Sequence, residues 1–255
     1  MSVLRQIQRS RMIDGRVLSN EALTKRLYAL RLDVESLQFE AGQFVRLELD
    51  IDGEKVARPY SLVNIPGDPV VEVFFNTVPG GKLSNALAAL QKNDIVSVSQ
   101  PASGFFILSG TPAARDLWLI ATGTGLGPYL SILPTGQLWE RFENVVLVHG
   151  VPYCEELVYQ DVINLVQSKY PERFRYLPCV SREKNPTGLN GRITDTLNRG
   201  DLERSVGFPI SKATSSVMLC GNHNMIKDVQ SILAARGMQK HLHHKPGQIL
   251  TEQYF

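Results

Sequence analysis

The chain has 255 residues, with 27 Lys+Arg against 25 Asp+Glu for a formal net charge of +2, and is 43% hydrophobic, 20% charged and 8% aromatic. That composition excludes a disordered, collagen-like or coiled-coil chain, and the near-zero charge argues against a dedicated nucleic-acid binder. Three cysteines without a C-x-x-C pair (Cys154, Cys179, Cys220) supply neither a disulfide framework nor a four-thiolate cluster, so a reducing, cytoplasmic setting is expected.

The first residues, Met1 to Arg16, carry Arg5, Arg9, Arg11 and Arg16 but no apolar h-region, so they read as part of the mature protein. Short apolar runs broken by turn residues follow: Val17 to Asn20, Thr24 to Leu32, Gln43 to Leu49, Tyr60 to Val63, Val70 to Asn76 and Ile95 to Ser99. Alternation in Phe44-Val45-Arg46-Leu47-Glu48-Leu49 and the Asp52-Gly53 turn predict antiparallel strands closing into a barrel or sandwich, with a helix over Lys82 to Leu90. After Pro112 the period changes. Strands are predicted over Leu117 to Thr122, Asn144 to His149, Phe174 to Val180 and Ser216 to Cys220, alternating with helices over Glu155 to Ser168, Ile193 to Asn198 and Asn224 to Arg236. That alternation predicts a mostly parallel sheet with ligands at the strand carboxyl ends. Leu117 to Trp139 approaches a membrane span in length without a charge, but its four glycines and two prolines make it strand, loop and short helix, so no membrane association is expected. The expected architecture is therefore an antiparallel β-barrel over 1–107 and an α/β domain with a parallel sheet over 108–255.

Chemistry-bearing residues gather at these strand ends. Arg58-Pro59-Tyr60-Ser61 puts a guanidinium suited to a diphosphate, a ring suited to stacking and a small hydroxyl on one strand; an exposed edge arginine beside a core tyrosine reads equally well. Gly80-Gly81-Lys82-Leu83-Ser84 opens a helix whose free amides suit phosphate or simply begin an ordinary helix, and it is no Walker A loop because Asn76 replaces the first glycine. Gly123-Thr124-Gly125-Leu126-Gly127 follows a buried strand, where glycines permit close approach to a phosphate-bearing ligand. Cys220-Gly221-Asn222 ends another strand, its thiol being either functional or a small apolar filler. No G-x-S-x-G elbow is present, and the His241, His243, His244 stretch lacks a Cys or carboxylate cluster, so no metal site is expected.

Together these segments resemble the bacterial ferredoxin (flavodoxin)–NADP+ reductases along essentially the whole chain: Arg-x-Tyr-Ser, Gly-Lys-Leu-Ser, Gly-Thr-Gly-x-Gly-Pro-Tyr, Val-Ser-Arg-Glu with Gly-Arg, Cys-Gly-Asn and an aromatic-ended tail, in order. The resemblance implies an FAD-binding barrel followed by an NADP-binding α/β domain. It implies FAD contacts from Arg58, Pro59, Tyr60, Ser61, Phe74, Lys82, Leu83, Ser84, Thr124, Tyr254 and Phe255, with Ser61 beside flavin N5 and Phe255 covering the flavin. It implies NADP(H) contacts from Thr124, Ser181, Arg182, Arg192, Cys220, Gly221 and Asn222, the two arginines holding the 2′-phosphate. Ser61, Cys220, Glu252 and Phe255 are the implied catalytic set. Pro152 stands where relatives often carry arginine, which removes one phosphate contact. The implied reaction passes hydride from NADPH to FAD and then single electrons to ferredoxin or flavodoxin, in a monomer. Rival expectations are an NAD(P)H-dependent flavin reductase, an oxygenase electron-transfer component, and a non-catalytic flavin- or nucleotide-binding sensor.

Overall fold

The computed structural model describes residues 11–242 and 244–253; Arg5, Arg9, His243, Tyr254 and Phe255 lie outside the described residues. The chain divides into two compact units, Met1–Gly104 and Phe105–Phe255. No helix among the described residues is long and apolar enough to cross a membrane.

In the first unit the strands are β1 (Arg11–Ala22), β2 (Leu27–Val34), β3 (Phe44–Ile51), β4 (Glu54–Ser61), β5 (Val70–Asn76) and β6 (Ile95–Gln100), with helix α1 (Lys82–Ala89) before β6. They form an antiparallel sheet ordered β4-β3-β6-β1-β2-β5. Its two ends are drawn together by the Leu62–Val73 bridge and by Val63 N–H donating to the Glu72 carbonyl at 2.9 Å. Alternation decides the inner face: Val45 and Leu47 of β3, Leu30 and Leu32 of β2, and Val73 and Phe75 of β5 are buried, joined by Leu83 and Leu87 of α1. The Asp52-Gly53 turn has φ of 55° and 79°, both left-handed, which is the geometry that lets a two-residue turn join β3 to β4 with Ile51 opposite Glu54. The fourth strand therefore starts at Glu54, six residues before the expected Tyr60. Its first residues read as polar because β4 is the outer strand of the sheet order, a position that also tolerates Pro59, which has no N–H to pair.

The second unit runs β7 (Asp116–Thr122), α2 (Gly127–Ile132), α3 (Gly136–Arg141), β8 (Asn144–Val151), α4 (Gln160–Lys169), β9 (Phe174–Val180), β10 (Leu189–Asn190), α5 (Ile193–Asn198), α6 (Asp201–Val206), β11 (Ser215–Gly221), α7 (His223–Ala235) and β12 (Ile249–Gln253). Every strand pairing is parallel, in the order β10-β9-β8-β7-β11-β12. The inner strands are largely apolar, as a sheet covered on both faces requires: Leu117, Trp118, Leu119, Ile120 and Ala121 of β7 are fully buried. The helix expected over Glu155 to Ser168 is split into a 3-10 turn, Cys154–Glu156, and α4, because Tyr159 stands in the left-handed region at φ 58°.

Chain order and strand order together fix where a ligand can enter the second unit. From β7 the chain steps to β8, β9 and β10 on one side, then returns to the other side of β7 for β11 and β12. The direction reverses between β7 and β11, and the crevice outside the carboxyl ends of such a pair is where open α/β sheets bind ligands.

Candidate functional site

At that reversal the glycine loop after β7 meets the loop after β11. Gly125 lies so close to β11 that an added Cβ would stand 2.5 Å from the Cys220 carbonyl oxygen, and a Cβ on Gly221, at φ 123°, would stand 2.4 Å from Thr122 Oγ1. The Asn222 N–H donates to that same Oγ1 at 2.9 Å. These two glycines thus serve loop-to-loop packing, a reason the sequence reading, which assigned them to ligand approach, did not contain. Gly123 differs: it is left-handed at φ 52° with open space where a Cβ would be. Asn222 caps α7, its Oδ1 accepting from the Asn224 and Met225 amides at 2.9 and 3.3 Å.

Parallel register sets Cys220 directly beside Glu252 of β12 and beside Ala121 of β7. Cys220 is fully buried and Glu252 half-buried. Beneath them the buried Tyr129 hydroxyl donates to the Met218 carbonyl at 2.7 Å and lies 3.2 Å from the Ile120 carbonyl, tying β11 to β7. Burial first, then the nearness of Cys220 and Glu252, holds the Tyr129 phenol well above its usual range, so it stays protonated and donating. Thr124, Cys220, Gly221, Asn222 and Glu252 are therefore one constellation.

Ser181 and Arg182, after β9, lie two strands from β7, and Arg192, after β10, lies three away. β10 pairs β9 with Asn190 beside Val180, so Arg192 and Arg182 each stand two residues past a paired position, leaving adjacent strand ends at the same level. Both are exposed, and neither has a carboxylate within ion-pair distance among the described residues. The Ser181 and Arg182 amides donate to the Val151 and Pro152 carbonyls at 3.1 and 2.9 Å, and the Arg182 guanidinium sits 5.9 Å from the Tyr153 ring centre. The Cys154 amide donates to Glu183, and a cleft of about 440 Å³ is lined by Tyr153, Glu155 and Glu183.

In the first unit, Arg58 and Pro59 are exposed on β4, Tyr60 is half-buried and Ser61 is buried. The Arg58 guanidinium donates to its neighbour's Ala57 carbonyl at 2.7 Å and has no carboxylate partner among the described residues. Tyr60 meets the Phe75 ring edge-on at 5.9 Å, and burial pushes its phenol up to about 12, with Arg58 opposing. Helix α1 packs on β3 and β4, and no side chain caps its first turn. Lys82 pairs with Glu54 at 3.0 Å, Leu83 is committed to the core, and Ser84 Oγ accepts from the Val78 amide at 3.2 Å. Phe74 is buried, yet on the face of β5 opposite Val73 and Phe75.

These features fit two nucleotide cofactors. Arg58, with no carboxylate partner among the described residues, an aromatic beside it and helix amides without a side-chain cap suit a flavin nucleotide; two strand-end arginines with no described carboxylate partner and an open glycine loop suit a phosphorylated dinucleotide. Sequence reasoning gave no role to Glu54, Tyr129 or His149. The last is fully buried on β8, with Nε2 3.1 Å from the Gly123 carbonyl and no partner for Nδ1 among the described residues, and burial pulls its ring down to about 4. A histidine inside an otherwise apolar strand was the available signal.

The sequence model of the oxidoreductase FAD-binding domain matches residues 14–107, and that of the oxidoreductase NAD-binding domain matches residues 119–231. The flavodoxin/ferredoxin–NADP reductase of Escherichia coli K12 is 44% identical over 218 residues, covering 86% of this chain and 88% of its own length. The ferredoxin–NADP reductase of Azotobacter vinelandii is 34% identical over 229 residues, with the same coverage of both chains. The crystal structure of a ferredoxin NADP+ reductase from Neisseria gonorrhoeae with bound FAD and NADP superposes with a TM-score of 0.90 at 31% identity, covering 96% of this chain and 99% of that one.

Proposed function

The chain belongs to the flavodoxin/ferredoxin–NADP reductase family, and from that premise we infer an FAD-dependent oxidoreductase that uses NADPH to reduce ferredoxin or flavodoxin. The observation that carries this reading is that one chain holds, in sequence, both an FAD-binding and an NAD-binding oxidoreductase domain. The bound cofactors supply the chemistry: hydride passes from NADPH to FAD, and electrons leave one at a time for the protein acceptor.

The protein's own residues bind, orient and hold charge. Arg58 and the first-turn amides of α1 would hold the FAD diphosphate, with Tyr60 and Phe74 against the ring system and Ser61 at its polar edge. Lys82 would have to exchange Glu54 for phosphate, a small cost because the pair is exposed. Arg182 and Arg192 would take the 2′-phosphate. Thr124, Cys220, Gly221 and Asn222 would border the nicotinamide, and Glu252, fixed beside Cys220 by register, would balance charge there. Gating by Tyr254 and Phe255 rests on the family resemblance alone. A cytoplasmic monomer accords with this role.

Reduction of purified ferredoxin or flavodoxin by NADPH, compared with reduction of free FMN and FAD, tests the reading. Turnover on the protein acceptor well above that on free flavins is expected. Preference for free flavin would instead support the flavin-reductase alternative, and binding of cofactors without turnover would support a sensor.

A further inference from the structure

His149 is a fully buried imidazole in the second unit to which the proposed reaction gives no task, and its contacts are specific. The carbonyl oxygen of Gly123 can only accept, so Nε2, 3.1 Å away, carries the hydrogen, and Nδ1 is left as a bare acceptor with no donor in reach. Register places His149 beside Ala121 of β7 and Pro178 of β9, so the ring is held within the sheet layers, just below the glycine loop. A planar trans peptide points its C=O and N–H in opposite directions. Capturing the Gly123 carbonyl from below therefore turns the Thr124 N–H away from the buried layer, in the first turn of the 3-10 segment Gly123–Leu126, where an N–H has no acceptor within the segment itself. The left-handed φ of Gly123 makes this orientation possible, at the start of that segment.

We propose that His149 is a positioning residue for the dinucleotide: its Nε2–H clamps the Gly123–Thr124 peptide so that the Thr124 amide and side chain face the crevice between β7 and β11. The proposal rests on the dinucleotide reading of that crevice. A buried carboxamide can replace the donor, whereas leucine fills similar volume and cannot.

Three holoenzymes decide it: wild type, His149→Gln and His149→Leu, assayed with NADPH and with NADH against ferricyanide. One neutral hydrogen bond is worth a factor of about 5–10. His149→Leu should raise KM by that factor for NADPH and NADH alike, with kcat within about two-fold, and His149→Gln should restore most of it. Unchanged KM in His149→Leu, or no difference between the two variants, overturns the proposal. Should the leucine variant not fold, nitrogen-15 NMR of the wild type decides. The imidazole should show the Nε2–H tautomer, and NADP+ should shift that resonance and the Thr124 amide; a Nδ1–H tautomer, or no shift at either position, overturns it. If wild-type flavin is not reduced by NADPH at all, it is the reading of function that fails, and the tautomer result still judges the clamp.

Discussion

Replacing Gly125 with Ala would put a methyl carbon 2.5 Å from the Cys220 carbonyl oxygen, 2.7 Å from its carbonyl carbon and 2.9 Å from Gly221 Cα. All three are backbone atoms of a strand end, so none can rotate aside. Ordinary contact begins at 3.4 Å, which requires the two loops to part by about 0.9 Å. That movement stretches the 2.9 Å bond from the Asn222 amide to Thr122 Oγ1 beyond hydrogen-bonding range. Overpacking of this kind costs about 1–3 kcal/mol and the lost bond about 1 more, for ~2–4 kcal/mol in total. In a unit of this size each kcal/mol lowers the midpoint by about 2–4 °C, so a fall on the order of 10 °C is expected in the thermal transition of the holoenzyme. The functional effect should be larger than the loss of stability suggests. The displaced atoms belong to Cys220 and Gly221, which the proposed function sets against the nicotinamide, and a shift of about 1 Å at a reacting centre can cost on the order of 100-fold. Turnover of ferricyanide by NADPH, measured per bound FAD, should show that loss in kcat/KM. A Gly125→Ala enzyme with wild-type melting and kcat/KM within about three-fold would refute the claim that the two loops form one packed site.

Gly136, the first residue of α3, has open space at its Cβ position and an ordinary backbone, so Gly136→Ala should be neutral or stabilise by up to about 1 kcal/mol in the same melts. His149 takes up a proton near 6.5 in the unfolded chain but only near 4 when buried. Between those values the unfolded state binds more protons, so stability is greatest above pH 6.5 and falls as the pH drops toward 4, by on the order of 3 kcal/mol from this group. Denaturant titrations across that window should be flatter for His149→Gln, and identical slopes would contradict the burial argument. Arg182→Ala or Arg192→Ala alone should raise the KM for NADPH by roughly 10–100-fold while leaving NADH within about two-fold, since each charge-assisted phosphate bond contributes about 1.5–3 kcal/mol and NADH has no 2′-phosphate. An equal effect on both dinucleotides would remove the 2′-phosphate assignment.

Local pattern carried much of this fold. The strands Val70–Asn76 and Phe174–Val180 stand where periodicity puts them, because their apolar runs end at turn residues on both sides. Glu54–Ser61 was foreshortened because an outer strand keeps polar residues on its exposed face, and only the Asp52-Gly53 turn marked its true start. Helix α6 has its own sequence signal in Gly200 and Gly207, which flank Asp201–Val206 and stand in left-handed conformations at either end. The site was legible as residue types but not as geometry. Nothing local to Thr251-Glu252-Gln253 says that it is an edge strand, so the pairing of Glu252 with Cys220 depends on register across the sheet. The roles of Gly125 and Gly221 in packing, and of His149 beneath Gly123, likewise depend on which strand ends become neighbours.

The most direct test of the central claim is anaerobic mixing of the yellow holoenzyme with equimolar NADPH, followed by addition of oxidised ferredoxin or flavodoxin. The visible flavin band should bleach on the first addition and return on the second, with the carrier reduced. A flavin that stays oxidised with NADPH, or that bleaches and then cannot pass electrons to either carrier, would contradict it.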